Sequence, residues 1–452
     1  MKRQRVGFRF LHGQLRHLVA CALLAVLAPI PASPASGAAE QRDAPRWIGT
    51  WAAAPQRAFA GRVQTFHNQT LRLIVHVSAG AKTVRVKLSN IFGDQPLVIG
   101  SAHVARRADG ASIDPRSDRP LTFGKRSSIT IPAGSRATSD PVDLDVPALS
   151  DLAISLFLPE QTAATTLHIL TQQTNYASTE TGDSTAAASF PVAKTISIWP
   201  FLAGVDALVS SRGATIVAFG SSLTDGDGST RDANRRYPDV IAERLQKNGD
   251  AELGVLNEGI IGNRLLSDGQ SPHQSGGPPP LGPVFEQLKQ GLGEAGVKRF
   301  DRDVLSQAGV KYVVLALGVN DMLFPGSWVP DTERVTSNDI IIGNRQLIAR
   351  AHKNGIRAIG TTIPPFEHAL FRDPPFDAFY SAEKEKIREE VNAWILSSGE
   401  FDGVIDFDAA VRDPNHPTQI LPAFDSGDHL HANDAGNVAQ ANAVSLALFH
   451  GR

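Results

Sequence analysis

A serine, an aspartate and a histidine that could perform nucleophilic catalysis stand in two distant segments of the chain. Ser222 lies within Gly220-Ser221-Ser222-Leu223, and Asp428 precedes His431 by three residues. A serine hydroxyl is a poor nucleophile until a base removes its proton, and an imidazole suits this task because its pKa is near neutral. A carboxylate on the other ring nitrogen fixes the tautomer, and one short loop can place both Asp428 and His431. These residue types therefore indicate acyl transfer through a serine.

The part of the chain that must position these groups alternates short apolar runs with helical periods. The apolar runs are typical of buried parallel strands and cover 214–219, 253–256, 312–317, 356–360 and 404–407. Between them, one predicted helix begins after Ser381 as its N-cap, and another ends at 354–355. This alternation predicts right-handed βαβ units and a doubly wound sheet. Sites in such sheets form beyond the carboxyl ends of the strands, which is where Ser222 and His431 stand.

The first half of the chain shows a different pattern, with alternate residues apolar. In 71–77 every odd position is apolar, and 84–88, 142–146 and 152–158 repeat the alternation between turn residues. Many short strands at such spacing predict a β-sandwich. Residues 178–195 are small and polar, which is typical of a linker. We therefore predict an all-β sandwich domain over 39–177, a linker over 178–199 and an α/β domain over 200–452.

The N-terminus predicts secretion. Five basic residues precede an apolar run over 18–30, and small residues follow it, so residues 1–38 are predicted to be a cleaved signal peptide. We expect a secreted or periplasmic protein with no membrane insertion. Residues 18–21 match the letters of a lipoprotein signal, but the charged Arg16 stands almost against them. The only cysteine, Cys21, excludes a disulfide framework, and 44 basic against 46 acidic residues argue against nucleic acid as a partner.

Four polar segments, each after a predicted strand and in a fixed order, carry a family resemblance. They are Phe219 to Gly226, Asn257 to Arg264, Gly318 to Asp321 and Asp428 to His431. Together they resemble the blocks of the GDSL/SGNH hydrolase superfamily, over roughly residues 200–452. The resemblance implies a three-layer α/β, flavodoxin-like fold and ester hydrolysis by a serine nucleophile, without a cofactor or a metal.

The resemblance also implies a role for each site residue. Ser222 matches the nucleophile, His431 the general base, and Asp428 the carboxylate that orients the base. The oxyanion hole would consist of the N–H groups of Ser222 and Gly262 and the side-chain amide of Asn320. Each such donor is worth about 3 kcal/mol of the barrier. One position departs from the family, because Ser221 stands where the Gly-Asp-Ser-Leu signature has aspartate. We expect a less ordered loop there, and Ser221 remains an alternative functional hydroxyl.

The N-terminal half extends the resemblance. Residues 47–55, 88–93 and 300–305 are similar to a secreted bacterial subgroup that carries a β-sandwich before the hydrolase domain and includes arylesterases and xylan side-chain esterases. The resulting prediction is a secreted serine esterase that acts on short acyl esters, acetyl above all, on a small molecule, a polysaccharide or a glycoside. A broad-specificity arylesterase or lipase is the alternative within enzymes. A carbohydrate-binding protein with a degenerate hydrolase domain is the alternative outside them, motivated by Ser221.

Several motifs allow a second interpretation. Ser222 taken alone is a common turn residue, and the Asp428-His429-Leu430-His431 segment contains a spacing that zinc sites use. Trp47 and Trp51 could bind sugar rings or pack in the core. The segment 322–328 could form an apolar wall for an acyl group, and 267–283 could form a loop over the site; simple surface packing is the alternative for both.

Overall fold

The strand before Ser222 lies inside a five-stranded parallel sheet. The computed structural model describes residues 44–269, 282–372, 375–376 and 379–450. Across the sheet the strands are Leu253–Gly259, Ala214–Gly220, Val310–Ala316, Arg357–Thr361 and Gly403–Ile405. All five predicted strands are thereby confirmed. The chain order reverses at Ala214–Gly220, since the next two strands in sequence lie on its two sides. A crevice opens at such a switch point, beyond the carboxyl ends of the strands.

Both faces of the parallel sheet are covered. Val217 and Phe219 belong to one core cluster, whereas Ile216 and Ala218 belong to another, because successive side chains of a strand point to opposite faces. The longer helices are Tyr237–Asn248, Ser337–Lys353, Ala382–Ser397 and Asp434–Asn442. The shorter helical segments are Ser222–Asp225, Gly282–Leu288, Lys289–Leu292, Gly296–Phe300, Asp301–Leu305, Val319–Leu323, Asp331–Glu333, Phe407–Val411 and Leu446–Phe449.

Two helix ends agree with the sequence prediction. The Ser381 side chain accepts the N–H of Lys384 at 3.2 Å and caps helix Ala382–Ser397. Helix Ser337–Lys353 has Asn354 as its C-cap, and Gly355 follows with a φ of +68°, a conformation that favours glycine.

The N-terminal half is rich in β-strands that pair antiparallel. One sheet contains Arg46–Ala52, Leu202–Val209, Ala81–Asn90, Ser135–Thr138 and Val142–Val146. A second sheet contains Val192–Ile196, Asn175–Ser178, Gln69–Val77, Ser150–Leu158, Ser101–Arg106 and Arg119–Pro120. Short pieces add Gln56–Arg57, Thr65–Phe66, Leu97–Ile99, the helical turn Pro115–Ser117, Ile129–Ile131, Thr162–Ala163, Thr166–His168 and Trp199–Pro200. In the C-terminal half, Phe371–Arg372 pairs antiparallel with Pro375–Phe376.

The two larger antiparallel sheets share one core. Leu71, Leu73 and Val75 from one sheet are fully buried in the same cluster as Val84 and Val86 from the other. The alternation over 71–77 therefore marks the face that packs against the opposite sheet. Trp51 lies in this cluster, 5% exposed, and packs edge-on against Trp199, so packing in the core accounts for it.

The segment predicted as a linker belongs to this β-rich region. Val192–Ile196 pairs with Asn175–Ser178, and Leu202–Val209 lies between the first strand and Ala81–Asn90. The guanidinium of the fully buried Arg72 donates to the carbonyls of Thr185 and Ala187. A small, polar composition suggested a linker, but its backbone carbonyls satisfy a buried charge. Strand pairing in the β-rich region therefore continues to Val209, beyond the boundary predicted at residue 200.

The β-rich region packs against the edge of the parallel sheet. The N–H of Gly49 donates to Thr215 Oγ1 at 2.9 Å and to the Ala308 carbonyl at 3.0 Å. A Cβ on Gly254 would lie 1.9 Å from the Gly49 carbonyl oxygen, so only glycine permits this approach. The predicted signal peptide lies outside the described residues. Of the helices that are described, none is both long and apolar enough to cross a bilayer.

Candidate active site

A tight strand-to-helix turn presents Ser222 at the carboxyl end of the parallel sheet. Strand Ala214–Gly220 ends, Ser221 caps the turn in an extended conformation, and the short helix Ser222–Asp225 begins. A Cβ on Gly220 would lie 1.9 Å from Thr224 Oγ1, so glycine is required where the chain folds back. Ser222 is 5% exposed at this turn. Its N–H belongs to the first helical turn, where donors lack an intrahelical partner.

His431 lies beside Ser222 and is held by Asp428. Nε2 of His431 is 2.8 Å from Ser222 Oγ, and Nδ1 is 2.7 Å from Asp428 Oδ2. A carboxylate accepts only, so Nδ1 carries a hydrogen, and in the neutral form of the ring Nε2 offers its lone pair to the serine hydroxyl. Asp428 Oδ1 also accepts the N–H groups of Leu430 and His431, at 3.0 and 2.9 Å. N–H groups of its own loop therefore fix the carboxylate that orients the ring.

The charges around His431 favour its protonated form. Burial lowers the pKa of His431, but Asp227 and Asp428 outweigh burial and raise this pKa to about 9. Asp227 Oδ2 lies 3.8 Å from Nε2, on the side that faces Ser222. For Asp428, burial raises the pKa, whereas the hydrogen bonds and the charge of His431 lower it well below its ordinary value. Asp428 is thus a carboxylate throughout the range in which His431 titrates.

Gly262 and Asn320 lie on the same cavity as Ser222. Gly262 has a φ of +66°, and a Cβ there would lie 2.6 Å from Leu292 Cδ2. Asn320 Nδ2 donates one hydrogen to the Asn263 carbonyl at 3.0 Å, which leaves the second hydrogen of the amide for another acceptor. Within the described part of the chain, the N–H groups of Ser222 and Gly262 donate to no other group. Unused donors of this kind are what an oxyanion requires.

Asp321, next to Asn320, ties these two segments together. Its carboxylate accepts the N–H groups of Leu265 and Leu266 at 2.6 and 2.9 Å. Burial raises the pKa of Asp321 to about 6, even though both hydrogen bonds lower it. The sequence placed Asp321 in a polar block without a role. In the structure it fixes the start of helix Val319–Leu323 against the loop that carries Gly262.

One side of the cavity is apolar and largely aromatic. The cavity has a volume of about 280 Å³ and is lined there by Leu323, Phe324, Trp328, Leu370, Phe371 and Phe379. Trp328 stacks on Phe324 at 4.7 Å and meets Phe371 edge-on at 5.1 Å between ring centroids. Of the segment 322–328, for which an apolar wall and surface packing were both open, three residues line the cavity. Most of the predicted loop over 267–283 lies outside the described residues.

The sequence prediction missed part of this cavity. Leu370 and Phe371 follow strand Arg357–Thr361, so the rule that sites form beyond the carboxyl ends of strands pointed to them. Asp227 follows Gly226 in the turn after Ser222, and its only signal was a charge inside a glycine-rich turn.

The alternative interpretations can be compared with these positions. Ser221 Oγ is buried, and the part of the chain described here offers it no hydrogen-bond partner. For the zinc alternative, His429 and His431 would have to share a site, but His429 pairs with Asp425 at 2.6 Å. Among the described residues, no three His, Cys, Asp or Glu side chains group closely enough to hold a metal ion. The site therefore contains the Ser222 hydroxyl, the His431 imidazole and the Asp428 carboxylate in line. Backbone N–H groups and a side-chain amide lie on the same cavity as donors.

The comparison with family models decides the family. The model of the GDSL-like lipase/acylhydrolase family matches residues 216–444, half of the chain. The chain belongs to this family. Its members are acylhydrolases, so the chain is a carboxylic ester hydrolase, with the hydrolase fold in its C-terminal half and a β-rich region before it. A comparison with curated protein sequences found no match.

Solved structures of esterases are similar to about half of the chain. An aryl esterase of M. smegmatis is 18% identical over 51% of this chain and 96% of its own, with a TM-score of 0.37. An acetyl xylan esterase is 19% identical over 51% and 96%, with a TM-score of 0.33. A carbohydrate acetylesterase from Sinorhizobium meliloti is 16% identical over 51% and 95%, with a TM-score of 0.36.

Proposed function

We propose that the chain hydrolyses short-chain carboxylic esters through an acyl-enzyme on Ser222. The observation that carries this proposal is the line from Ser222 Oγ through His431 to Asp428, with distances of 2.8 and 2.7 Å, formed by three residues that line the cavity. In this proposal Ser222 is the nucleophile, His431 moves the proton, and Asp428 holds the ring. No step requires a cofactor or a metal.

The reaction proceeds in two halves. Ser222 Oγ bonds to the ester carbonyl carbon while its proton passes to His431 Nε2, and the carbonyl electron pair moves onto oxygen. When the tetrahedral species collapses, the C–O bond to the alcohol breaks and the alcohol takes the proton from Nε2. A water molecule then gives its proton to Nε2 and attacks the acyl carbon, and the acid leaves as Ser222 regains its proton.

Asn320→Ala is expected to lower kcat by roughly 10²- to 10³-fold, with a much smaller effect on KM. The reason is that the amide stabilises the oxyanion, which carries full charge only near the transition state. Steady-state kinetics with p-nitrophenyl acetate measures both constants. A loss expressed mainly in KM would instead assign Asn320 to substrate binding.

The pH profile should reflect the charges around His431. Only neutral His431 accepts the serine proton, so kcat/KM should rise with pH up to about 9. Asp227→Asn removes a negative charge 3.8 Å from Nε2, which lowers the pKa of His431. The acid limb of the profile should therefore move to lower pH, and kcat/KM near neutral pH should increase by about tenfold.

Asp232→Asn is the matched control for this profile. Asp232 lies in the same loop, but its carboxylate binds Gln173 and Thr174 rather than His431. Its profile should follow that of the wild type. An acid limb that stays in place in Asp227→Asn would contradict the proposed influence of Asp227.

The size and the lining of the cavity bear on the acyl group of the substrate. A cavity of about 280 Å³ lies just below the usual range for small-molecule sites, about 300–1,000 Å³, which agrees with a short acyl ester such as acetate on a small molecule, polysaccharide or glycoside. The aromatic wall formed by Phe324, Trp328 and Phe371 favours a second candidate, an arylesterase or lipase with a larger apolar group. A chain-length series of p-nitrophenyl esters, beside acetylated xylan, separates the two. Faster turnover of long chains would overturn the short-chain assignment.

Covalent capture tests the proposed nucleophile without reference to a natural substrate. Wild-type protein should hydrolyse p-nitrophenyl acetate, and a fluorophosphonate should stop turnover by forming one adduct. Peptide mass spectrometry should locate this adduct on Ser222. An adduct on Ser221 would move the nucleophile by one residue, and a wild type without turnover or adduct would favour the carbohydrate-binding alternative.

The proposal includes location and architecture. We infer a secreted or periplasmic enzyme, from the basic and apolar residues of segment 1–38. We also infer a three-layer α/β hydrolase domain, supported by core clusters on both faces of the parallel sheet, and a β-sandwich, supported by the core that two antiparallel sheets share.

A further inference from the structure

A buried ion pair joins the β-rich region to the turn that carries Ser222. His168 ends the short strand Thr166–His168, and Asp225 ends the short helix Ser222–Asp225. Nε2 of His168 lies 2.9 Å from Asp225 Oδ1, and each side chain is only 2% exposed. Charged groups are rarely buried unless they are paired. Each of these two side chains therefore depends on a partner from the other region.

The hydrogen bonds of His168 define its protonation. Nδ1 lies 2.9 Å from the Ala54 carbonyl, which only accepts, so Nδ1 carries a hydrogen. Burial opposes the charge of His168, but the carboxylate of Asp225 raises its pKa above the ordinary value. The positive charge of Arg236 lowers the pKa of His168, and Arg236 is itself paired with Asp239 at 2.7 Å. Burial raises the pKa of Asp225, whereas the charge and the hydrogen bond of His168 lower it, so His168 donates from both nitrogens and favours the carboxylate form of Asp225.

Asp225 makes a second contact, on the oxyanion side of the cavity. Its Oδ2 accepts the N–H of Ile261 at 3.1 Å, and Ile261 directly precedes Gly262. The backbones at Gly259 and Asp225 also approach closely, since a Cβ on Gly259 would lie 2.3 Å from the Asp225 nitrogen. One carboxylate thus connects the helix that begins at Ser222 with the turn that presents the Gly262 N–H.

The surroundings of His168 hold it in place. Its ring lies 5.8 Å from that of Trp199, and Trp199 packs edge-on against Trp51 at 4.9 Å. Both tryptophans belong to the core of the β-rich region. His168 therefore links Asp225 to the core of the β-rich region, outside the parallel sheet.

We infer that His168 is a positioning residue for ester hydrolysis: by holding Asp225, it sets the distance between Ser222 and the N–H of Gly262. This inference rests on the proposed function and adds that the β-rich region supplies a side chain on which the geometry of the site depends. A misplaced donor weakens stabilisation of the oxyanion more than binding of the ester, so the effect belongs in kcat.

The test compares His168→Phe with His168→Gln in the full chain. Phenylalanine fills the site without a donor, whereas the amide nitrogen of glutamine can take the place of Nε2. His168→Phe should lower kcat for p-nitrophenyl acetate by roughly 10- to 100-fold, with KM within about threefold of the wild type. His168→Gln should recover most of the loss. The rate of fluorophosphonate labelling should follow kcat in both variants.

His103→Phe is the matched control. His103 also pairs with a carboxylate, Asp118 at 2.9 Å, within the β-rich region, and it should leave kcat unchanged. A folded His168→Phe with kcat within twofold of the wild type, or with a change confined to KM, would overturn the inference. If His168→Phe does not fold, Asp225→Asn, which keeps the shape of the side chain, is judged by the same criteria. Failure of the proposed function is distinguishable, because it would appear as an inactive wild type or an active Ser222→Ala.

Discussion

Ser222→Ala should lower kcat for p-nitrophenyl acetate by roughly 10⁴- to 10⁶-fold, the scale seen when a serine hydrolase loses its nucleophile. The substitution removes the only atom that can form the acyl-enzyme in the proposed mechanism. KM should change little, because the oxyanion donors and the apolar wall of the cavity remain. The free energy of unfolding should be close to that of the wild type. The substitution removes one hydroxyl, whereas the conformation of the turn depends on Gly220.

Ser221→Ala is the matched control for this experiment. The Ser221 hydroxyl is buried, and the described residues include no hydrogen-bond partner for it. Its removal should leave kcat within a few-fold of the wild type and stability unchanged or slightly higher, because an unsatisfied polar group is removed. The two variants in parallel also decide the register of the motif. Loss of turnover in Ser221→Ala together with retained turnover in Ser222→Ala would contradict the mechanism.

His431→Ala should produce a loss of the same order, roughly 10⁴- to 10⁶-fold in kcat. Without Nε2, which lies 2.8 Å from Ser222 Oγ, nothing in the proposed mechanism takes the serine proton. The double variant Ser222→Ala with His431→Ala should lose little more than either single variant, because the two residues act as one unit. Additive losses would mean that each residue acts independently and would contradict the proposed proton transfer.

His429→Ala controls for damage to the loop. His429 stands two residues from His431, is 44% exposed at its side chain and pairs with Asp425. It should keep kcat within a few-fold of the wild type. Fluorophosphonate labelling provides an independent check, since His431→Ala should label slowly while His429→Ala labels at the wild-type rate.

The elements that position the site could be predicted because their signals are local. A parallel strand buried on both faces is a continuous apolar run, and Ser222 follows such a run directly. Asp428 and His431 are three residues apart, so one loop had to carry both. The alternation over 71–77 indicated a strand for the same reason, since its apolar face consists of alternate residues within one short segment.

Other features depend on contacts between distant segments, and the sequence carries no local signal for them. His168 is a single histidine in a short strand, and its partner Asp225 lies 57 residues further on. The polar segment over 178–199 looks like a linker until the buried Arg72 is seen to donate to its carbonyls. Asp227 has an effect only because a loop about 200 residues away brings His431 to it.

The pairing of Leu202–Val209 has a consequence for synthesis and for dissection of the protein. This strand lies between Arg46–Ala52 and Ala81–Asn90, so the first sheet cannot close until the ribosome has released residue 209. A fragment that stops at residue 200 would leave two open strand edges, and a fragment that starts there would carry one unpaired strand. Open edges invite association between chains. The two halves should therefore be separated, if at all, at the turn over 210–213, after the last strand of the sheet has been included.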